Sequence, residues 1–264
     1  MRKLIPGLWS LVTICALNSS VITHSAQSGG ADVIGQARGA YYNLKSQGFY
    51  GLKANIEPNW EVTLGPAASK ENLRIFRAVR FTMTADANGA VAISHEVVDP
   101  EKARVEPYLP QIHENVRGLV AAFFGTWARF MVSSPFPEDK TQIRIDNSGN
   151  EYRLFYTADS ADVMLTMTKD LLITEWKLSG ATAKRTIKPL FQKTDEGLVL
   201  IGYKTIFEPV GEGIKTTLDV TVAYHEVGGI KLPNKIELKG LHGSEPVAAE
   251  LRFNHYVLNS RPAN

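Results

Sequence analysis

The stretch IKTTLDVTVAYHEVGGIKLPNKIELKGLHGSEPVAAELRFNHYV, residues 214–257, decides the fold. Ile214, Thr216, Leu218, Val220, Val222 and Tyr224 fall on one side, and Lys215, Thr217, Asp219, Thr221, Ala223 and His225 on the other. After Val227-Gly228-Gly229, Ile230, Leu232, Ile236 and Leu238 alternate with Lys231, Lys235, Glu237 and Lys239. Val247, Ala249, Leu251 and Phe253 then alternate with Glu250, Arg252 and Asn254. Successive side chains of a strand point to opposite faces, so this pattern predicts a three-stranded meander with one apolar and one wetted face. The apolar face requires a cover, and whether protein or ligand supplies it decides what the chain can do.

Working outward, strands are expected over residues 142–145, 151–158, 163–168, 171–179, 185–193 and 198–207, with Asn147-Ser148-Gly149-Asn150 as a hairpin turn. Upstream, residues 49–57 predict a first strand closed by Pro58, and residues 59–72 a loop with room for a fragment of helix. Residues 73–85 and 90–98 predict a hairpin about Asp86-Ala87-Asn88-Gly89, because Asn-Gly tolerates the positive φ of a tight reversal. Two segments break the β pattern. Residues 32–47 place Val33, Ala37, Ala40, Tyr41 and Leu44 on one helical stripe stopped by Gly48. Residues 107–131 do the same with Ile112, Val116, Leu119, Val120, Phe123, Trp127, Phe130 and Met131. The back of this second helix carries Gly118, Ala121, Ala122, Gly125 and Ala128, small enough to admit a neighbouring backbone or a bulky ligand.

The expected fold is therefore mainly β with two principal helices, of the α+β class. Ten or eleven strands joined by short connections would form a strongly curved antiparallel sheet, an incomplete β-barrel with helices covering its concave side. With 264 residues, 44% of them apolar, and no repeat, one domain over residues 27–264 suffices.

Arg2 and Lys3 precede an apolar run from Leu4 to Leu17, followed by small polar residues. This is the layout of a secretory signal peptide over residues 1–26, with the exported form beginning between Ser25 and Ser28 and residing in the periplasm or outside the cell. Cys15, the single cysteine, lies within it, preceded by Ile14 rather than the small residue of a lipid-anchor signal. The mature chain would then hold no disulfide and no thiol nucleophile. No later stretch reaches the roughly 18 apolar residues of a spanning helix. The net charge of +2 is spread along strands where lysines alternate with acids, giving no case for nucleic acid or a strongly anionic membrane surface.

Chemistry-bearing motifs are sparse. Three of six histidines precede glutamate, as His95-Glu96, His113-Glu114 and His225-Glu226, yet strand neighbours point to opposite faces and cannot readily chelate one ion. There is no H-E-x-x-H and no G-x-S-x-G. Gly211-Glu212-Gly213 joins two strands rather than opening a helix, so it reads as a turn. No metal, cofactor or catalytic residue is assigned. The stronger lead is the apolar inventory: Phe123, Trp127 and Phe130 of the long helix can face Leu218, Val220, Val222, Ile236, Leu238, Leu251 and Phe253 of the meander. Interdigitated, they form a core; held apart, they line a pocket for an acyl chain.

The layout resembles the LolA-like superfamily of periplasmic lipoprotein and lipid carriers. The resemblance rests on an early helix feeding a strand, many antiparallel strands around a helical interruption, and the phrase Tyr224-His225-Glu226-Val227-Gly228-Gly229-Ile230-Lys231-Leu232-Pro233-Asn234-Lys235-Ile236 before a last strand. It implies a half-open barrel lidded by helices, and a non-enzymatic envelope protein whose partner is a lipid or lipoprotein acyl chain. The length of the chain and its long second helix depart from that pattern. The alternatives are a sensor or protein-interaction module of the envelope on the same fold, and a hydrolase with an unrecognised site.

Overall fold

The computed structural model describes residues 30–98, 101–137, 143–147, 149–158 and 160–260. The expected signal peptide and its cleavage point lie outside these residues, as do Asp99-Pro100 and part of the 147–150 turn.

The described residues form twelve strands, one or two more than the alternation predicts. In chain order they are β1 (Gly51–Pro58), β2 (Val79–Asp86), β3 (Val91–Val97), β4 (Arg144–Asp146), β5 (Glu151–Ala158), β6 (Ala161–Thr168), β7 (Ile173–Ser179), β8 (Ala183–Thr194), β9 (Gly197–Pro209), β10 (Thr216–Val227), β11 (Ile230–His242) and β12 (Glu245–Leu258). They make one open antiparallel sheet in the order β3-β2-β1-β12-β11-β10-β9-β8-β7-β6-β5-β4. Every pairing but one joins consecutive strands. The exception sets β1 against β12, so the first and last strands sit side by side in mid-sheet and the edges fall to β3 and β4.

The meander forms as its alternation requires except at its start, where Ile214, expected on the apolar face, precedes β10 and is 48% exposed. Leu218, Val220, Val222, Ile230, Leu232, Ile236, Leu238, Ala249, Leu251 and Phe253 are buried, whereas Asp219, Thr221, Lys239 and Arg252 are exposed. Two irregularities interrupt its ladders. The β10–β11 register slips at Ala223/Tyr224, and the β1–β12 register slips opposite His255, whose φ of 51° is left-handed. An extra residue in one strand flips the following side chains, so past the second bulge Val257 points outward and is 60% exposed.

The β2–β3 hairpin turns where Asn-Gly places it. Asp86 accepts from the amides of Asn88 and Ala90, and Gly89 has φ 81°. A Cβ at Gly89 would collide with that of Ala128, so this turn packs directly on the small-residue back of the long helix.

Five α-helices accompany the sheet among the described residues, more than the two principal helices expected: α1 (Gly30–Ala40), α2 (Trp60–Leu64), α3 (Lys70–Arg77), α4 (Lys102–Val105) and α5 (Leu109–Met131). Three expectations are corrected. The first helix ends at Ala40, not Gln47, because Tyr41 and Tyr42 are drawn into the sheet: the Tyr42 amide donates to Leu198 O, and the Tyr41 hydroxyl bridges Leu171 O and the Ile173 amide. Residues 73–77 are the end of α3 rather than strand, since Ser69 caps that helix by accepting from the Asn72 amide. The segment 59–72, a loop with room for a fragment of helix, does hold one, α2, capped by Asn59, with a 3-10 turn at Gly65–Ala67. The long helix α5 starts two residues later than expected, at Leu109, with Pro110 in its first turn where a missing N–H costs nothing.

Candidate functional site

The segment holding α4 and α5 links the two edge strands, and α5 stays beside the β2–β3 hairpin at both ends, with His113 against His95 and Ala128 against Gly89. Its other ring and hydrogen-bond partners come from further along the sheet. His113 meets His95 on β3; Phe123 and Phe124 meet Phe253 on β12; Trp127 donates to the Tyr224 hydroxyl on β10 at 3.1 Å. The Leu200 amide on β9 lies 3.3 Å from Met131 Sδ, Phe130 meets Phe191 on β8, and the Arg129 guanidinium lies 4.7 Å over Trp176 on β7.

All ten side chains singled out from the sequence are buried in one apolar cluster. Phe123, Trp127, Ile236 and Leu251 are at 0% exposure, and the most exposed, Leu218 and Val222, reach only 8%. Phe123 and Phe253 stack at 6.5 Å between ring centroids, which joins the helix to the last strand. In this conformation the ten are in contact as a core.

A polar locus that sequence reasoning missed lies within the same helix–sheet contact. Arg185 on β8 shares its side of the strand with buried Ala183 and Ile187. Its Nη2 donates to Thr126 Oγ1 of α5 at 2.6 Å and its Nε to Thr205 Oγ1 of β9 at 3.4 Å. Thr126 in turn donates to Ala122 O at 3.1 Å. Burial, with Arg129 nearby, lowers the Arg185 pKa against the favourable influence of Tyr203, and burial raises that of Tyr203. The adjoining Tyr224 hydroxyl, also pushed up by burial, donates to Leu200 O at 2.5 Å. The signal was available in the sequence: Ala183-Arg185-Ile187 puts an arginine in an apolar register.

The structure also joins two histidines that lie 18 positions apart, with His95 Nδ1 and His113 Nδ1 2.9 Å from each other. One ring donates and the other accepts, so at least one is neutral. Burial, then the neighbouring His95, lowers the His113 pKa. Among the described residues no cluster of three or more histidine, cysteine, aspartate or glutamate side chains is placed to hold a metal.

A separate groove of about 630 Å³ opens beside β1, β2 and β3, lined by Asn55, Glu57, Trp60, Arg77, Arg80 and Glu96 among others. The register pairs Arg252 with Glu57 and Arg80 with Glu96 on neighbouring strands. Opposite charges paired in this way stabilise a wetted face, and each carboxylate is set against an arginine instead of being aimed with the other at one substrate atom. No helix among the described residues is long and apolar enough to cross a membrane. Comparison with known proteins finds no matching family model, no matching curated protein and no matching solved structure.

Proposed function

We propose that the chain is an exported, non-enzymatic envelope protein that binds an acyl chain or other apolar ligand between a curved sheet, an incomplete barrel, and α5, in the manner of the LolA-like carriers it resembles. The observation that carries this reading is the way one helix spans the apolar face of an open sheet. α5 keeps the β2–β3 hairpin on one side at both ends, at His95 and Gly89, while Phe123, Trp127, Phe130 and Arg129 reach β12, β10, β8 and β7 on the other, as a sheet bent around the helix would allow. Movement of α5 away from β12 and β11 would expose a continuous apolar trough.

Fluorescent fatty-acid displacement tests this reading. Wild type should bind saturably, and Val220→Asp or Leu251→Asp should weaken binding, because the ligand would meet a poorly solvated charge. Thr221→Glu, on the wetted face of β10, is the control, and a thermal melt of each variant identifies those still folded. Absence of binding by wild type, or equal binding by the folded variants, overturns the carrier reading. The second reading, an interaction module, is favoured by one observation: all ten apolar side chains are already buried within the protein.

A further inference from the structure

Arg185 is the point at which the helix–sheet contact departs from a simple apolar core. A guanidinium has five N–H donors and a charge that persists at any physiological pH. Arg185 commits its hydrogen bonds to two threonine hydroxyls, which are neutral. Among the described residues no carboxylate forms an ion pair with it. Its charged neighbour is Arg129, of the same sign, and Tyr203 stands beside it with its phenol held neutral by burial. A partly buried charge is costly without an opposite charge or a full set of hydrogen bonds. The remaining donors of Arg185 are therefore suited to an anion, and a guanidinium fork matches the two oxygens of a carboxylate or phosphate.

We propose that Arg185, with Thr126 and Thr205 orienting it, binds the anionic headgroup, carboxylate or phosphate, of an amphiphile whose chain lies along the neighbouring apolar face. This inference rests on the carrier reading and names the ligand's polar end. Thr126 and Thr205 hold the guanidinium by its edges and leave its other donors for the headgroup.

The test compares hexadecanoate, hexadecyl phosphate and hexadecanol as competitors of one fluorescent fatty acid, on wild type, Arg185→Gln and Arg185→Lys, with a melt of each. Loss of charge-assisted hydrogen bonds should weaken both anions about tenfold or more in Arg185→Gln. Hexadecanol should stay within about twofold of its wild-type affinity. Arg185→Lys, which keeps the charge and loses the fork, should fall between. The tighter of the two anions on wild type identifies the headgroup. Equal weakening of all three ligands would reduce Arg185 to a pin between α5 and β8, and unchanged anion affinity in folded Arg185→Gln would remove it from the site; either overturns the proposal while leaving the carrier reading intact. Failure of all three ligands to bind wild type overturns the carrier reading and this inference with it.

Discussion

The two ends of α5 meet the sheet by different physics. Around Thr126–Met131 the helix is held by partly buried polar bonds among aromatic rings: Trp127 to Tyr224, Arg185 to Thr126, and the Leu44 amide to Met131 O at 2.8 Å. Around His113 the polar attachment is a pair of imidazoles at the edge strand, open to solvent on the His95 side. Both halves bury apolar side chains, Ile112 and Val116 on one and Phe130 and Met131 on the other. The difference lies in what competes with water. Hydrogen bonds in low-dielectric surroundings are costly to break, whereas an exposed imidazole pair exchanges readily with solvent and protons. In the carrier reading the C-terminal end is the hinge and the N-terminal end the latch.

The largest expected effect comes from removing the hinge. Trp127→Ala should lose about 3–5 kcal/mol of stability through the cavity and the orphaned Tyr224 contact, read as a shift in the denaturation midpoint. A change below about 1 kcal/mol would mean that this end is not the firm one. Thr126→Val, which keeps the shape and removes an acceptor from Arg185, should cost about 1–3 kcal/mol, near the lower end because Arg185 is partly exposed. Hydrogen exchange addresses the comparison directly: amides of residues 112–119 should exchange about tenfold faster than those of 126–131. Equal protection would erase the distinction between hinge and latch.

The smallest effect is the pH response of the latch. The folded-state pKa of His113 lies below its ordinary value. As pH falls below about 6.5 the unfolded chain takes up a proton more readily than the folded one. The stability is therefore complete above that pH and declines as pH falls toward the folded-state value. Melting temperature should drop between about pH 7 and 5.5 less steeply in His113→Gln than in wild type. Identical slopes would remove His113 from the latch.

Much of the sheet was legible because its information is local. In residues 214–257 the period of two, Gly228-Gly229 and the Lys/Glu alternation all specify the same meander. Residues 73–77 were misread because Leu73 and Ile75 also fit a strand period, and the decisive information was the Ser69 cap upstream. The early end of α1 was not legible, since it depends on bonds from Tyr41 and Tyr42 to β7 and β9, far along the chain. The apolar set of the candidate site could be selected from periodicity, but its packing in this conformation could not, because periodicity carries no distance. Likewise, the three His-Glu dipeptides gave no sign that His95 and His113 would meet across two elements, whereas Arg185 was marked locally by its place in the register.

Native mass spectrometry of the purified protein, before and after adding hexadecanoate, decides whether it holds an amphiphile. A carrier should show a population with one amphiphile, either co-purified and released by organic extraction or acquired on addition, with α5 less protected from exchange in the loaded form than in the free one. A protein that remains at its free mass throughout would contradict the carrier reading.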